Sequence, residues 1–330
     1  MMIRINKIHE VTLELRKRNS GRVLFNEELK NYTTYKVGGP AAVLCLPASL
    51  QELQEVIQTC SHSLVPVFIL GSGSNILVHD KGLEKVVIKL DRCCSKLQHT
   101  NGMLYAGAGT LVSEVVRYSE EHQLAGLDFM SGIPGTVGGA LRMNAGAFEG
   151  EIGDRVIYID AMTYQGELLK IEAKDAGFGY RQADFLQDKI MLGCMLKMGS
   201  GHRNSLEKAR DKYLTKRAAK QPLEYGSCGS VFKRPPGNYA GTLVEEAGCK
   251  GMQVGGAMVS PKHANFIINY KNATAYDIYH LITQVQKIVY KKYNVWLDLE
   301  VKLVGFSHEE EKKVQHPGRV VSSVAKSSNG

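Results

Sequence analysis

Two glycine-rich stretches decide the fold: SGIPGTVGGA at residues 131–140 and GSGSN at residues 71–75. Glycine has no Cβ, so the backbone of such a loop can pass close to an anion. Consecutive backbone N–H groups then form a concave nest that binds phosphate oxygens. Two nests from distant parts of one chain can hold a single pyrophosphate, and we interpret the two stretches as candidates for that role.

The common phosphate-binding fingerprints match neither stretch. Residue 76, where a dinucleotide-binding loop would carry its third glycine, is isoleucine, and the lysine of a P-loop is missing. Each stretch taken alone is more typical of a structural turn than of a phosphate site. The glycine content therefore leaves the phosphate-binding and the structural interpretation both open.

Length and composition predict an ordinary globular protein of about two domains. The chain has 330 residues, of which 44% are hydrophobic and 22% charged. No apolar run approaches the ~20 residues of a membrane-spanning helix, and the basic N-terminus lacks the apolar stretch of a secretory signal. We expect a cytoplasmic protein without membrane insertion, and no obligatory protein partner is evident.

The net charge of +8 suits either nucleic acid or a small ligand that carries phosphates. No nucleic-acid recognition motif accompanies the charge, so we favour the small ligand. The seven cysteines are scattered without a CxxC pair, and no histidine cluster has metal-ligand spacing. We expect no metal site and no disulfide framework, and we interpret most of the thiols as small buried hydrophobic groups.

Hydrophobic periodicity predicts short strands and helices in the first 200 residues. Residues 1–20 are predicted as a helical lead-in. Ser49 and Glu52 form a capping box that opens a helix toward Cys60. The other predicted elements of this part are strands at 65–70 and 85–90, a helix at 111–124, and a hairpin of 156–162 with 168–171.

The last third of the chain has a different pattern. Residues 199–204 are polar and glycine-rich, which predicts a linker, and a charged helix follows at 205–219. Thr274 caps a long amphipathic helix, and the alternation over 295–303 predicts a half-buried strand. From residue 307 onward there is no periodicity, which predicts disorder.

These patterns divide the chain into four parts. They are a lead-in at 1–20, a first domain at 21–200, a second domain at 205–306 and a tail at 307–330.

A set of motifs runs in a fixed order along the chain and covers residues 25–306. Its members are NYTTYKVGGP at 31–40, residues 71–80, residues 131–147, GYR at 179–181, GSVFK at 229–233, HANF at 263–266 and LEV at 299–301. The ordered set resembles the UDP-N-acetylenolpyruvoylglucosamine reductase family, and the order makes it more specific than any one motif.

The resemblance implies an α+β fold: a two-lobed FAD-binding domain of the vanillyl-alcohol-oxidase type, followed by a smaller α+β substrate-binding domain. It places the FAD pyrophosphate between the two glycine-rich loops. No histidine lies within residues 71–78, and His79 is expected at the surface, so we expect FAD to be held non-covalently. The implied flavin contacts are Tyr35, Gly71, Ser72, Gly73, Ser74, Asn75, Ile133, Pro134, Gly135, Thr136, Gly138, Gly139 and Ala140.

The reaction implied by the resemblance is the NADPH-dependent reduction of UDP-N-acetylglucosamine enolpyruvate to UDP-N-acetylmuramate, in peptidoglycan precursor synthesis. Flavin N5 delivers the hydride and Ser230 donates the proton. Arg181 stabilises the developing enolate charge, because a guanidinium stays protonated and can hold a carboxylate through two contacts. Glu300 polarises the substrate or orients a proton-carrying water.

Other interpretations of these three residues exist in the absence of the family motifs. Ser230 is also typical of a turn serine that caps a backbone N–H, and the nearby Cys228 is a competing thiol. Arg181 is typical of a surface ion pair. If 295–303 is a strand, the pleat puts Glu300 opposite the apolar face of Leu299, toward solvent or a cleft.

Substrate recognition is less clearly marked than the chemistry. Lys220, Lys233 and Arg234 are expected near the nucleotide diphosphate, and Arg234 departs from the asparagine of many relatives. The stretch from 195 to 230 is short, so we expect the form of the enzyme without an extra substrate-gating loop.

Three rival functions remain on the sequence alone. An oxidase of the same fold would take its electrons from an organic substrate rather than from NADPH. A nucleotide-sugar sensor would have kept the fold without the chemistry. A nucleic-acid-binding protein would bind with steep salt dependence.

Overall fold

A computed structural model describes residues 2–17, 22–147 and 150–315 of the chain. Helices and strands are mixed along it. The helices are α1 Met2–Lys17, α2 Leu50–His62, α3 Val112–Glu121, α4 Val137–Arg142, α5 Arg203–Lys220, α6 Ala240–Glu246, α7 Ala275–Tyr293 and α8 His308–Lys313.

The strands are short, and many come in pairs. In the first half they are β1 Arg22–Glu28, β2 Pro40–Leu46, β3 Val67–Leu70, β4 Ile76–Val78, β5 Leu83–Lys89, β6 Leu97–Thr100, β7 Met103–Gly107, β8 Leu124–Ala125, β9 Gly146–Ala147, β10 Gly150–Glu151 and β11 Val156–Met162. In the second half they are β12 Leu168–Glu172, β13 Phe178–Gly179, β14 Gln182–Ala183, β15 Ile190–Lys197, β16 Gly199–Ser200, β17 Gln253–Val254, β18 Ala257–Val259, β19 Ile267–Asn269 and β20 Lys302–Val304.

Two sheets organise the first 200 residues. The first has the order β1-β2-β5-β3, with β1 antiparallel to β2 and the other two pairings parallel. The second is antiparallel throughout, with the order β12-β11-β15-β7-β6. The glycine-rich loop 71–75 directly follows β3, and the loop 131–136 directly precedes α4.

The described residues form three hydrophobic cores, and the one called the third core lies around α7 in the last third of the chain. Ile278, Leu281, Ile282 and Val285 are buried at helical spacing and pack with residues of β18 and β19. Tyr35 and Leu77 from the first third of the chain belong to the same core. In addition, β20 pairs in parallel with β4, so the last strand is built into the first part of the molecule.

Most of the predicted elements are confirmed, with ends shifted by a few residues. The Ser49 hydroxyl accepts from the Glu52 N–H at 3.1 Å, and the Glu52 carboxylate accepts from the Ala48 N–H at 2.7 Å. Thr274 and Asp277 form a reciprocal capping box at the start of α7. The hairpin of β11 and β12 is present in register.

The predicted linker at 199–204 is wrong. Gly199–Ser200 pairs with Leu124–Ala125, and α5 already begins at Arg203. The Gly201 N–H donates to Gln123 O at 3.0 Å. The small side chains of glycine and serine let this segment pass close over the turn between α3 and β8. The segment is therefore paired with β8 and is not a free linker between domains.

The predicted strand at 295–303 is also largely wrong, because only Lys302–Val304 forms a ladder. The alternation is real: Leu297 and Val301 are fully buried. The backbone groups before Lys302, however, bond to several separate partners. Gln286 Nε2 donates to Leu297 O, and Lys233 N donates to Asp298 O, each at 2.8 Å.

Two expectations about the surface are corrected. His79 is buried: its ring packs edge-on against Phe306, and its Nδ1 accepts from the Lys81 N–H at 3.0 Å. The start of the tail predicted as disordered is ordered, because Ser307 and Glu310 cap the short helix α8. The rest of that tail, residues 316–330, lies outside the described residues, as do 18–20 of the predicted lead-in.

Asp80 joins the first part of the chain to α7. Its two carboxylate oxygens accept from the N–H groups of Ala275 and Tyr276, at 2.8 and 3.0 Å. These N–H groups have no partner within the helix, and the positive end of the helix dipole favours a carboxylate there. A residue of the turn after β4 therefore completes the N-terminus of the main C-terminal helix.

We expect Asp80→Ala to lower the free energy of unfolding by about 1–2 kcal/mol, the usual range for losing a helix cap. Equilibrium denaturation measures the loss. Glu84→Ala, which removes an exposed carboxylate from β5, is the control and should change stability by less than about 0.5 kcal/mol. An Asp80→Ala protein as stable as the control would contradict the proposed capping role.

Candidate active site

The structure brings the two glycine-rich loops into contact. The Ser74 hydroxyl donates to Pro134 O at 2.8 Å. A Cβ placed on Gly71 would lie 2.7 Å from Thr136 Oγ1, closer than a real side chain tolerates. The two loops are 60 residues apart in the chain at Ser74 and Pro134, yet they form one wall.

Backbone conformation explains two of the glycines. Gly73 has φ +62° and Gly135 has φ +145°, values that other residues rarely adopt. Thr136 follows Gly135 and caps α4, its hydroxyl accepting from the Gly139 N–H at 3.4 Å. The loop therefore turns sharply and presents N–H groups beside the start of the helix.

A cleft of about 560 Å³ opens beside the loops, lined by Ser72 and Thr136 from the loops and by Lys89 and Thr110. Thr110 Oγ1 and Ser131 Oγ are buried and have no hydrogen-bond partner within the described residues. Buried polar groups are normally paired, so these two point to a polar ligand. Lys89 Nζ, which donates to Gly71 O at 3.2 Å, adds positive charge to the cleft.

These features fit the pyrophosphate of FAD. Glycines stand where the two loops come closest to each other, and the cleft opens beside them. The buried hydroxyls of Thr110 and Ser131 have no hydrogen-bond partner among the described residues. Most residues implied as flavin contacts lie on these loops: Gly71, Ser72, Gly73, Ser74, Asn75, Ile133, Pro134, Gly135 and Thr136. Gly138, Gly139 and Ala140 lie in α4, which follows the second loop.

Tyr35 differs from the other implied flavin contacts. Its side chain is fully buried in the core around α7, and its hydroxyl lies beside the Cys228 thiol. Tyr35 O also accepts from Asn269 Nδ2 at 3.0 Å. In this structure Tyr35 packs in the third core, to which Leu77, just after the first loop, also belongs.

One short segment, residues 299–302, connects the first glycine-rich loop to the serine segment. Asn75 Nδ2 donates to Glu300 O at 3.2 Å, and the Lys302 N–H donates to Asn75 O at 3.0 Å. The Glu300 N–H in turn donates to Val231 O at 2.8 Å. Val231 directly follows Ser230. The first glycine-rich loop, Glu300 and the segment that carries Ser230 are therefore joined by one network of hydrogen bonds, which we call the scaffold.

Asn265 holds the serine segment from its other side. Its Oδ1 accepts from the Phe232 N–H at 3.0 Å, and its Nδ2 donates to Phe232 O at 2.9 Å. The Val231 N–H donates to Asn265 O at 2.8 Å. Asn265 is buried, so these bonds are protected from water and fix the backbone on which Ser230 sits.

Ser230 itself is half-buried, and its hydroxyl makes no hydrogen bond to any of the described residues. The turn before it is tight, with Gly229 at φ +80°. A serine whose task was to cap a nearby N–H would show that bond. The structure therefore leaves the Ser230 hydroxyl available to a ligand.

Arg181 and Glu300 form an ion pair, with Arg181 Nε 3.0 Å from Glu300 Oε1. Both side chains are mostly buried, at 22% and 16% exposure. Arg181 Nη2 also donates to Gly146 O at 2.9 Å. Arg181 occupies the turn between β13 and β14 with φ +55°, an uncommon value for a non-glycine residue and one that is often found at functional sites.

Burial raises the pKa of Glu300, and the Arg181 guanidinium opposes that rise. Lys233 and Lys302 oppose it further. The carboxylate is therefore held in a mostly buried place where its charge depends on nearby cations.

The three expected diphosphate contacts lie at different places. Lys233 is half-buried and close enough to Glu300 to act on its pKa. Arg234 is exposed, and its guanidinium lies 4.1 Å from the centre of the Tyr239 ring. Its backbone N–H donates to the Tyr180 hydroxyl at 3.4 Å. Lys220 is exposed at the end of α5, and no short contact ties it to the other two.

Arg217 is a site residue that the sequence argument missed. Its Nε donates to Ser131 O at 2.8 Å, and its side chain packs against Gly132 of the second loop. Burial lowers its pKa, and the charge of Arg181 lowers it further, so two cations face the same region. The only sequence signal was the position of Arg217 one turn before Lys220 on a basic helix.

Cys228 is not a suitable acid for this site. Its thiol is buried, and burial raises its pKa to about 12. It packs with Tyr35 in the third core. The competing assignment of Cys228 as the reactive group therefore has no support from its surroundings.

Searches of the described ranges gave two negative findings. No group of three or more His, Cys, Asp or Glu side chains there is arranged to hold a metal ion. None of the helices in those ranges combines the length and apolarity needed to cross a membrane.

Comparison with known protein families identifies two matches. Residues 40–172 match the family described as "FAD binding domain". Residues 221–304 match "UDP-N-acetylenolpyruvoylglucosamine reductase, C-terminal domain". Together they confirm the predicted fold class of an FAD-binding domain followed by the C-terminal domain of this reductase.

Curated relatives with that name match over nearly their full length. The reductase of Caldanaerobacter subterraneus subsp. tengcongensis is 41% identical over 305 residues, covering 92% of this chain and 98% of the relative. A Bacillus cereus reductase is 42% identical over 290 residues, covering 88% of this chain and 95% of the relative.

A solved structure matches as well. The crystal structure of UDP-N-acetylenolpyruvylglucosamine reductase from Thermus caldophilus is 33% identical, with a TM-score of 0.73, and the match covers 86% of this chain and 98% of that one. Sequence and fold thus agree, and the chain belongs to the UDP-N-acetylenolpyruvoylglucosamine reductase family of FAD-dependent oxidoreductases.

Proposed function

We propose that this enzyme takes electrons from NADPH and reduces UDP-N-acetylglucosamine enolpyruvate to UDP-N-acetylmuramate. The reaction serves peptidoglycan precursor synthesis in the cytoplasm. The observation that carries the proposal is the scaffold of residues 299–302, which links the glycine-rich loop at Asn75 to Glu300 and to the backbone beside Ser230.

The two loops would hold FAD non-covalently, and FAD would supply the hydride chemistry between NADPH and the enolpyruvyl double bond. The protein has to orient the substrate, stabilise the negative charge that develops on it, and add one proton. The following assignments concern those tasks.

Ser230 is the proposed proton donor. A serine hydroxyl is a weak acid, but an enolate carbon is basic enough to take its proton when the geometry is fixed. The hydroxyl is unbonded within the described residues, and the backbone around it is held by Asn265 and Glu300. Such a fixed backbone meets the geometric requirement without engaging the hydroxyl.

Arg181 is the proposed stabiliser of the enolate. Its pairing with Glu300 and Gly146 O uses Nε and Nη2 and leaves Nη1 without a hydrogen bond to the described residues. A guanidinium held in place before reaction stabilises developing charge without reorganisation. Glu300 is the proposed partner that orients Arg181 and polarises the substrate or a proton-carrying water.

Lys233 and Arg234 are the proposed contacts to the nucleotide diphosphate. They are neighbours on the chain just beyond Ser230, and cations suit a diphosphate. Lys220 is a weaker candidate, because the structure does not bring it to them.

A separate observation argues against each of the three rival functions. Relatives that match over nearly their whole length are named reductases and not oxidases. The Arg181–Glu300 pair and the available Ser230 hydroxyl are what a reductase needs and a sensor does not. The charge of +8 is accounted for by a phosphate-bearing cofactor and substrate, without nucleic acid.

We expect Ser230→Ala to separate the two halves of the reaction. Reduction of the flavin by NADPH should keep its rate, whereas flavin reoxidation by the enolpyruvyl substrate should slow by about 10²–10⁴-fold, the usual contribution of a general acid. Anaerobic stopped-flow absorbance measures both steps.

Ser227→Ala is the matched control, since it removes a hydroxyl from the same turn, and it should leave both rates near those of the unaltered enzyme. Normal reoxidation in Ser230→Ala would show that the proton comes from another group. Loss of both steps together would point to a damaged fold and not to a missing proton donor.

We expect Glu300→Gln to remove the acid side of the pH profile for substrate reduction. Because burial raises the pKa of Glu300, its protonation as pH falls begins at a higher pH than for an exposed glutamate. Protonation removes the negative charge of Glu300, which pairs with Arg181. The rate of substrate reduction therefore falls toward low pH. The glutamine variant should be about 10²-fold slower at neutral pH and should show no such fall.

The profile is obtained from single-turnover flavin reoxidation at a series of pH values. Asp298→Asn, two residues earlier in the same segment, serves as the comparison and should keep the acid fall. An unchanged acid fall in Glu300→Gln would assign the titration to a different group.

A further inference from the structure

A second cavity lies away from the proposed active site, next to two adjacent cysteines. It has a volume of about 540 Å³, and the residues that line it include Cys93, Cys94, Leu168, Lys96 and Lys170. Neither the proposed reaction nor FAD uses any of these residues. Cys93 is half-exposed, and the other six cysteines are buried.

The two thiols are close and unequal. Cys93 Sγ lies 3.6 Å from Cys94 Sγ, within hydrogen-bond distance for sulfur. Both cysteines line the cavity, but Cys94 is only 7% exposed, whereas Cys93 is partly exposed. Cys94 is thus placed to donate its S–H to the sulfur of Cys93, which is the one a reagent can reach.

The backbone holds this pair firmly. The Cys94 N–H donates to Leu90 O at 2.9 Å, and the Gly109 N–H donates to Cys94 O at 2.7 Å. A Cβ on Gly107 would clash with the Cys94 carbonyl, so the glycine allows the turn to pack against β7. The Cys93 sulfur has one other contact, to Leu90 O at 3.8 Å, which is longer.

We propose that Cys93 is a modification site that forms a mixed disulfide with a small anionic thiol, whose body occupies this cavity. The chemistry of the lining supports the class of ligand. Among the lining residues, Lys96 and Lys170 carry positive charge and Asp160 carries negative charge, while Leu168 and Leu169 offer apolar contact. A thiol that carries carboxylates on a short aliphatic frame fits both features.

The step is a thiol–disulfide exchange. The Cys93 thiolate attacks one sulfur of a disulfide RS–SR, a Cys93–S–S–R bond forms, and the S–S bond of the reagent breaks. The other half leaves as RS⁻ and takes a proton from solvent. The Cys93 sulfur is oxidised to the disulfide level and the leaving sulfur of the reagent is reduced to a thiol, so no further oxidant is needed.

Electrostatics agree with this geometry. The hydrogen bond from Cys94 lowers the pKa of Cys93, against burial and against the carboxylates of Asp91 and Glu52, which raise it. The same bond and burial raise the pKa of Cys94. Cys93 is therefore the nucleophile, and Cys94 stays protonated and does not displace the adduct.

The test uses the full-length flavin-loaded protein with glutathione disulfide as the probe and peptide mass spectrometry as the readout. We expect one adduct, on Cys93, in the native protein and none on Cys93→Ser. Absence of an adduct on native protein, under conditions in which the urea-unfolded chain reacts, would overturn the proposal. A first adduct on another cysteine would do the same.

Two variants of Cys94 test the hydrogen bond. Cys94→Ser keeps a donor and should react at nearly the native rate. Cys94→Ala removes it, and each unit of increase in the pKa of Cys93 should slow the reaction about threefold at neutral pH, since a tenfold smaller thiolate fraction is partly offset by higher nucleophilicity. Equal rates for the two variants would contradict the role given to Cys94.

The charge of the cavity is tested with a neutral disulfide. Hydroxyethyl disulfide should react more slowly than glutathione disulfide with native protein, and the difference should shrink in Lys96→Gln. A neutral reagent that reacts as fast as the anionic one would overturn the assignment of an anionic ligand.

Discussion

The proposed site depends on the hydrogen bonds of residues 299–302. This segment receives the side-chain amide of Asn75 on one side and donates the Glu300 N–H to Val231 O on the other. Directly afterwards, β20 pairs with β4 and so anchors the segment in the first part of the molecule. Three stretches that are far apart in sequence thereby share one backbone frame, and Glu300 sits at its centre with Arg181 against it.

The sequence was most informative where local pattern determines local structure. The capping box at Ser49, the helix cap at Thr274 and the spacing of α7 each involve neighbouring residues, and each prediction is confirmed. The glycine-rich loops were also visible, because their backbone geometry demands glycine at Gly73 and Gly135. Roles for Arg181, Ser230 and Glu300 came from the family motifs, since a lone serine or arginine carries no such signal.

The errors share a different cause, which is tertiary contact. Alternation over 295–303 reflects burial, but the hydrogen-bond partners come from Gln286 and Lys233, so a regular strand does not form there. His79 is buried by Phe306, more than 200 residues later in the chain. Arg217 donates to the Ser131 carbonyl oxygen from α5, which the sequence predicted only as a charged helix. Such contacts leave no periodic trace in the sequence.

The most direct test of the central claim is the visible absorption spectrum of the purified protein without oxygen. The account predicts a bound-flavin spectrum that bleaches when NADPH is added and returns when the enolpyruvyl substrate follows. A protein that stays colourless after incubation with FAD would contradict the assignment of the two loops. A flavin that bleaches but never returns with that substrate would contradict the proposed acceptor.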